Sequence, residues 1–293
     1  MSERILGKVV ADFSAAAQAA RLIPGSQQRT TGHIGDTRRY GNRRPPVVFA
    51  VVFLLLAAGL RAAPVEALLA GTESELQPLL ARLADRHTEK VAAWQFWTGT
   101  LDGRAVALTR TEGDPLNAVA ATTLAIRRYA PRLVVTFGAA RAHDPALHPG
   151  DVVLSSSFAA FDGMVSDRRE LGAGSTPLNW RNLPHAMMTP GEQEKYLPVF
   201  PADATALAVA QILPGTRGRL VVGVLGSANQ VNREADRLAY LRTQWGTTCE
   251  DGESAHIAGC ALLLGVPVIG LRVIDGTDGE AAALVGQLLE GLK

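Results

Sequence analysis

The sequence predicts an α/β protein, a three-layer α/β/α domain with a mixed central sheet. Two observations predict it. Short strand-like runs at residues 65–70, 91–98, 104–110, 133–137, 151–157, 219–225 and 266–274 interleave with helical patterns. The last of these runs is almost wholly apolar, as expected of a parallel strand covered on both faces. The 293 residues, 47% hydrophobic and 19% charged, are enough to bury a full core without staples.

Charge is unevenly spread. The chain carries a net +1, but residues 1–44 hold 8 Lys/Arg against 3 Asp/Glu, and the remainder holds 21 against 25. The globular part is thus mildly acidic, and no basic face argues for nucleic-acid binding. Residues 1–46 lack sustained periodicity and are rich in Gly, Arg, Ser and Gln; they read as a disordered basic segment. Arg38, Arg39, Arg43 and Arg44 then precede a run of 14 uncharged residues, VVFAVVFLLLAAGL at 47–60, with small residues after it. That is the pattern of a secretory signal over 47–63, and the run is short for a membrane span of about 20 residues. Export to a periplasm or outside the cell is expected. An uncleaved signal anchor, holding the protein at the inner membrane through 47–60, is the alternative. The main domain is expected over 64–293.

The first strand, 65–70, ends at Gly71. Thr72 or Ser74 can cap the helix that follows, with Glu73 and Glu75 in its first turn. Asp102-Gly103 between residues 91–101 and 104–110 is a hairpin signal. Asp114-Pro115 opens an amphipathic helix reaching Tyr129, and Pro suits the first helical position. The strand at 133–137 runs into Gly138-Ala139-Ala140-Arg141-Ala142, and Gly150-Asp151-Val152-Val153 opens the next. Residues 159–200 carry scattered Gly, Pro and Asn with Trp180, Tyr196 and Phe200; a binding loop is expected there. Strand 219–225 leads into Gly226-Ser227-Ala228-Asn229-Gln230, and a helix runs from Asn232 to Trp245. Cys249 and Cys260 lack metal-ligand spacing and read as small core residues.

Residues 246–278 carry the chemistry. Ala255, Ala258, Leu262 and Gly265 form one helical stripe, Gly265 can close the helix and Pro267 stops it. Arg272 interrupts the apolar strand that follows, and Asp275 stands at its carboxyl tip. Ligands of open α/β sheets bind beyond the carboxyl ends of strands. Glu253 at the helix start and Asp275 at the strand end can therefore face one pocket. Taken singly, a Glu on a helix is usually solvated and an Asp after a strand is usually a turn residue.

Glu253-Ser254-Ala255-His256-Ile257-Ala258, followed by Gly265-Val266-Pro267 and Leu271-Arg272-Val273-Ile274-Asp275, resembles the nucleoside phosphorylase and methylthioadenosine–adenosylhomocysteine nucleosidase superfamily. Gly113, Asn117 and Ala118, then Gly138 and Gly150 to Val153, extend the resemblance over about 65–275. It implies that Glu253 bonds the ribose hydroxyls, that an Asp protonates the leaving purine, and that Glu75 activates the attacking water. Gly138 and Arg272 then belong to the substrate pocket. It also implies a homo-oligomer and no cofactor, with phosphate as co-substrate if the reaction is phosphorolysis. The sequence departs from the family pattern at several points. Gly252 replaces a Met. No Ser precedes the strand-end Asp, so Asp275 matches only with a one-residue deletion, and Asp278 is a further candidate. Pro115 replaces a Gly. Arg141-Ala142 replaces a diglycine, so Arg141 could fill the nucleophile pocket, bind an anion or point outward. Asn229 stands where a Phe stacks on the purine; it could instead bond a base edge.

The favoured function is hydrolysis of the N-glycosidic bond of a purine nucleoside or thionucleoside, because Glu75 can be matched and a phosphate cluster cannot. Phosphorolysis is one alternative. A non-catalytic nucleoside-binding or storage protein on the same fold is the other, and a cavity filled by Arg141 would favour it.

Overall fold

The computed structural model describes residues 65–292, except 192, 215 and 216. The basic segment 1–46 and the signal-like segment 47–63 lie outside the described residues, as does the side chain of Asp278.

A large mixed sheet forms the middle layer. Its central members are β1 (Val65–Ala70), β4 (Arg104–Arg110), β5 (Leu133–Ala142), β6 (Val152–Ala160), β12 (Leu220–Ser227), β13 (Thr247–Asp251) and β14 (Val268–Ile274). One edge is a meander of β2 (Ala84–Val91), β3 (Trp94–Leu101) and β4. The other edge is the two-residue β11 (Phe200–Pro201) beside β6. β14 pairs with both β5 and β6, so β5, β13, β12, β6 and β14 close on one another like a small barrel. The segment 159–200, expected as a loop, carries two small hairpins: β7 (Met164–Val165) with β8 (Arg181–Asn182), and β9 (His185–Thr189) with β10 (Gln193–Leu197).

Helices cover both faces. On one side lie α1 (Glu73–Leu80), α3 (Ala204–Ala210) and α6 (Asp278–Gly291). They pack Leu76, Leu79, Ala206, Leu284, Val285 and Leu288 against Leu68, Phe137 and Leu271 of the sheet. On the other, α2 (Pro115–Tyr129) and α5 (Ser254–Leu263) pack through Ala118, Ala121, Ala125, Ala255 and Ala258 against Ala67, Leu69 and Val134. The small side chains on both helices let them approach the sheet closely. α4 (Ala235–Trp245) lies by β13 and forms a third cluster with Phe161. Strand alternation divides β14 between the layers: Ile269, Leu271 and Val273 join the first cluster, Val268 and Ile274 the second. Arg272 therefore points to the α5 side of the sheet.

The strands expected at 65–70 and 104–110 match β1 and β4, and the Asp102-Gly103 turn joins Leu101 to Arg104 with both turn residues at positive φ. The run expected at 91–98 is displaced: β3 covers Trp94–Leu101, and Val91 ends the preceding strand β2. β2 itself, ADRHTEKV, is unexpected, because an exposed edge strand has no apolar face to show. β13 is unexpected too; its five residues read as the lead-in to α5.

Candidate active site

The carboxyl ends of β1, β4, β5, β13 and β14 converge on one region. Thr72 caps α1 with Glu75 as the reciprocal partner: the Glu75 N–H donates to Thr72 Oγ1 (3.3 Å) and the Thr72 N–H donates to Glu75 Oε2 (3.0 Å). The other oxygen, Oε1, accepts the Ala139 N–H at 3.2 Å. Gly138 has φ +149°, and a Cβ there would lie 2.5 Å from Glu75 Oε1. Only glycine lets the middle of β5 receive this carboxylate at that φ.

Glu253 opens α5 and is buried, with 3% of its surface exposed. Its Oε1 lies 3.7 Å from Arg272 Nη2, and its Oε2 contacts the Thr111 hydroxyl. A Cβ placed on Gly71 would lie 3.2 Å from Glu75 Oε2 and 3.6 Å from Glu253 Oε1, so the two carboxyls face the same small space. Burial pushes the Glu253 carboxyl up to about 7; Arg272 opposes this, and the negative charges of Asp251 and Glu75 add to it.

Arg272 is the buried cation of this cluster. Its Nε donates to Asp251 Oδ2 (2.7 Å) and its Nη2 to Thr136 Oγ1 (2.9 Å). Asp251 in turn accepts the N–H groups of Glu253 (2.7 Å) and Ser254 (2.8 Å) and the Ser227 hydroxyl (2.8 Å). It thereby caps α5 and ties that helix to β12 and β14. Burial works against the Asp251 charge, but Arg272 and the capping donors hold its carboxyl below the usual range.

Beside the cluster opens a cleft of about 500 Å³. Gly113, Ala139, Ala140, Arg141, Ala228, Asn229, Gln230, Val231, Glu250, Asp251, Gly252 and Asp275 line it. Asp275 follows β14 at φ +44°, and its N–H donates to the Ala140 carbonyl (2.9 Å). The residue is exposed on the cleft. Arg141 also lies exposed on the wall, with no side-chain partner among the described residues, so it does not fill the cavity. Asn229 and Gln230 are exposed on the cleft as well. Glu250 is buried in the cleft wall. It accepts the Asn232 N–H (3.0 Å) and side-chain amide (2.6 Å), and His143 Nε2 lies 3.1 Å away. Burial disfavours its charge, yet His143 and Asn232 hold its carboxyl below the usual range.

The structure thus brings together Glu75, Glu253, Gly138 and Arg272 in one cluster, and sets Asp275, Asn229 and Arg141 on the adjoining cleft. Sequence reasoning missed Asp251, Thr111 and Glu250. An Asp just before a helix start is a capping signal that could have found the first. Thr111 and Glu250 give no signal before the strands are paired.

The family model of the phosphorylase superfamily matches residues 67–289. The chain belongs to the phosphorylase superfamily. Among related members, the 5'-methylthioadenosine/S-adenosylhomocysteine nucleosidase of Anoxybacillus flavithermus is 24% identical over 215 residues, covering 73% of this chain and 86% of that protein. The nucleosidase of the same description from Geobacillus thermodenitrificans is 25% identical over 215 residues, covering 73% and 84%. In fold, the chain is similar to the S-adenosylhomocysteine nucleosidase of Streptococcus pyogenes in complex with 5-methylthiotubericidin, with a TM-score of 0.65, 19% identity, and coverage of 80% of this chain and 100% of that one. It is also similar to the futalosine hydrolase of Helicobacter pylori, with a TM-score of 0.61, 17% identity, and coverage of 78% and 97%. The superfamily fold is therefore shared across nearly the whole length of these structures.

Proposed function

We propose that this protein is an enzyme that hydrolyses the N-glycosidic bond of purine nucleosides or 5'-thionucleosides. The observation that carries the reading is the meeting of the Glu75 and Glu253 carboxyls around Gly71, next to a cleft with Asp275 on its wall. The likeness to curated nucleosidases over 73% of the chain supports it.

Breaking the C–N bond builds positive charge on the sugar and negative charge on the base. Asp275, exposed on the cleft, acts as the acid that protonates the departing purine, a contribution of about 10²–10⁴ in rate. Glu253 holds a sugar hydroxyl. Glu75 positions and deprotonates the attacking water, its own carboxylate being fixed by the Ala139 and Thr72 N–H groups. Arg272 and Asp251 position Glu253 rather than touching the substrate. Asn229 and Gln230 present hydrogen-bonding groups to the base on a wall that, among the described residues, carries no aromatic side chain.

Arg141 supports a second reading. A cation on the cleft without a protein partner among the described residues suits an anion, and phosphate in place of water would make the reaction a phosphorolysis. Purine release from adenosine, inosine, methylthioadenosine and adenosylhomocysteine, by protein starting at Ala63, separates the readings. Release without phosphate, lost in Glu253→Gln, supports hydrolysis; strict phosphate dependence supports phosphorolysis. Nucleoside binding without any release supports a storage protein.

We also propose export, with the arginines at 38–44 and the apolar run 47–60 as the signal or anchor. Among the described residues no helix is long and apolar enough to cross a membrane. Cell fractionation and N-terminal sequencing of the mature chain test this; a cytosolic, unprocessed chain contradicts it. A homo-oligomer is proposed on the exposed Leu116 and Val119 of α2 and Leu263 of α5, two helices that pack together. Light scattering giving the monomer mass contradicts it.

A further inference from the structure

One wall of the cleft, Ala228 to Val231, belongs to a segment, residues 228–234, that forms neither helix nor strand. It runs from the end of β12 to the start of α4. Asn229 and Val231 make no hydrogen bond among the described residues. The anchor of the segment is Asn232, which is buried. Its backbone N–H donates to Glu250 Oε1 at 3.0 Å, and its side-chain amide donates to Glu250 Oε2 at 2.6 Å. Its own Oδ1 accepts from Arg237 Nε of α4 at 3.4 Å, so the neighbours on both sides agree on which way the amide points.

Glu250 is itself lodged in place. His143 follows β5 and is buried; its Nε2 lies 3.1 Å from Glu250 Oε2 and its Nδ1 lies 2.7 Å from the Thr247 hydroxyl. The His143 N–H donates to the Thr248 carbonyl at 3.0 Å. The carboxylate is thus backed by β5 and β13, and both of its oxygens reach one loop residue. A buried, paired carboxylate adds little stability over an apolar side chain of its size. What it provides here is a fixed place for Asn232, and with it for the wall residues just before it.

We propose that Glu250 is a positioning residue for base recognition: through its two-point hold on Asn232 it sets Asn229 and Gln230 against the base. The inference rests on the glycosidic reading above. Glu250 acts through Asn232 and does not itself bind the substrate. Without the hold the wall drifts and the base binds more weakly. Glu75, Glu253 and Arg272 keep their places, because Ala139, Thr72, Thr111, Asp251 and Thr136 hold them independently of Glu250. A hydrogen bond to a charged group is worth a factor of about 10 to 100, which sets the scale of the test.

The experiment measures kcat and KM for adenine release from adenosine and methylthioadenosine, and the Kd of free adenine by calorimetry. It compares the wild type, Asn232→Asp, Glu250→Gln and the double variant. Asn232→Asp turns a carboxylate on Glu250, and should raise KM and the adenine Kd by at least about tenfold with kcat within about threefold. Glu250→Gln keeps one acceptor of the two and should raise both by about three- to tenfold. In the double variant the Gln amide donates to the new carboxylate, so both values return to within about threefold of the wild type. A merely structural role reads differently: lost folded protein lowers the apparent kcat and leaves KM where it was. That outcome, or an adenine Kd unmoved in Asn232→Asp, overturns the inference while adenine release by the wild type leaves the glycosidic reading intact. If Asn232→Asp does not fold, Glu250→Gln and the double variant decide by the same measures. If the wild type releases no adenine, the Kd series decides. A wild type that binds neither adenosine nor adenine overturns both the inference and the reading beneath it.

Discussion

The two halves of the site are built in opposite ways. In the carboxylate cluster the charges are held: Arg272 by Asp251 and Thr136, Asp251 by two helix N–H groups and Ser227, Glu253 by Thr111. In the cleft, Asp275, Arg141 and Asn229 stand in solvent, and among the described residues the Arg141 side chain has no partner. A held charge keeps its geometry but cannot adapt, whereas an exposed one costs the fold nothing to change. Under the proposed function, the held cluster meets the sugar and the attacking water, and the cleft meets the base. The departures from the superfamily pattern follow that division. Arg141 and Asn229 lie on the cleft, and Gly252 lies at the seam between the halves.

The sharpest way to break the comparison is Arg272→Met. It leaves Asp251 and Glu253 buried without their cation, and should cost about 3–5 kcal/mol of stability. Denaturant unfolding should show the loss even if activity is not assayed. Asp275→Asn should do the reverse: a drop of about 10²–10⁴ in kcat, with an unfolding midpoint unchanged from the wild type. A loss of stability there would mean that Asp275 is a structural turn residue.

Glu253→Gln probes the cluster by pH. The folded Glu253 titrates near 7, above the 4.5 of an exposed carboxyl, so the native state binds the extra proton between those values. Its stability contribution is full below 4.5 and is lost as pH rises through 7, by about 3 kcal/mol in all. The wild type minus variant difference in unfolding free energy should fall over that window, and a flat difference would contradict the assignment. The smallest effect belongs to the cleft: Arg141→Ala should change stability by less than about 0.5 kcal/mol. Any change in activity it causes should appear in the phosphate dependence.

Much of the fold is legible in the sequence because the buried strands are apolar and the turns carry their own chemistry. β1, β4 and the Asp102-Gly103 turn lie where the pattern puts them. β2 is hidden because its residues face solvent, and β13 because five residues before a helix have no period of their own. In the site, Glu75, Glu253 and Arg272 are visible through the resemblance and through the rule that ligands sit at strand ends. Thr111 and Glu250 are invisible for a different reason. Their roles arise from contacts across 142 and 107 residues, with Glu253 and His143, and no local pattern encodes such pairs.

The edge of the sheet has a bearing on how copies of the chain can meet. β2 presents Asp85, Arg86, His87, Glu89 and Lys90 along its exposed length, and its pairing with β3 slips between Ala84 and His87. β11, at the far edge, is two residues long and ends in a proline. Charge and irregularity at one margin, brevity and a missing N–H at the other, both oppose the addition of a foreign strand. Among the described residues, both margins of the large sheet thus oppose association by strand addition.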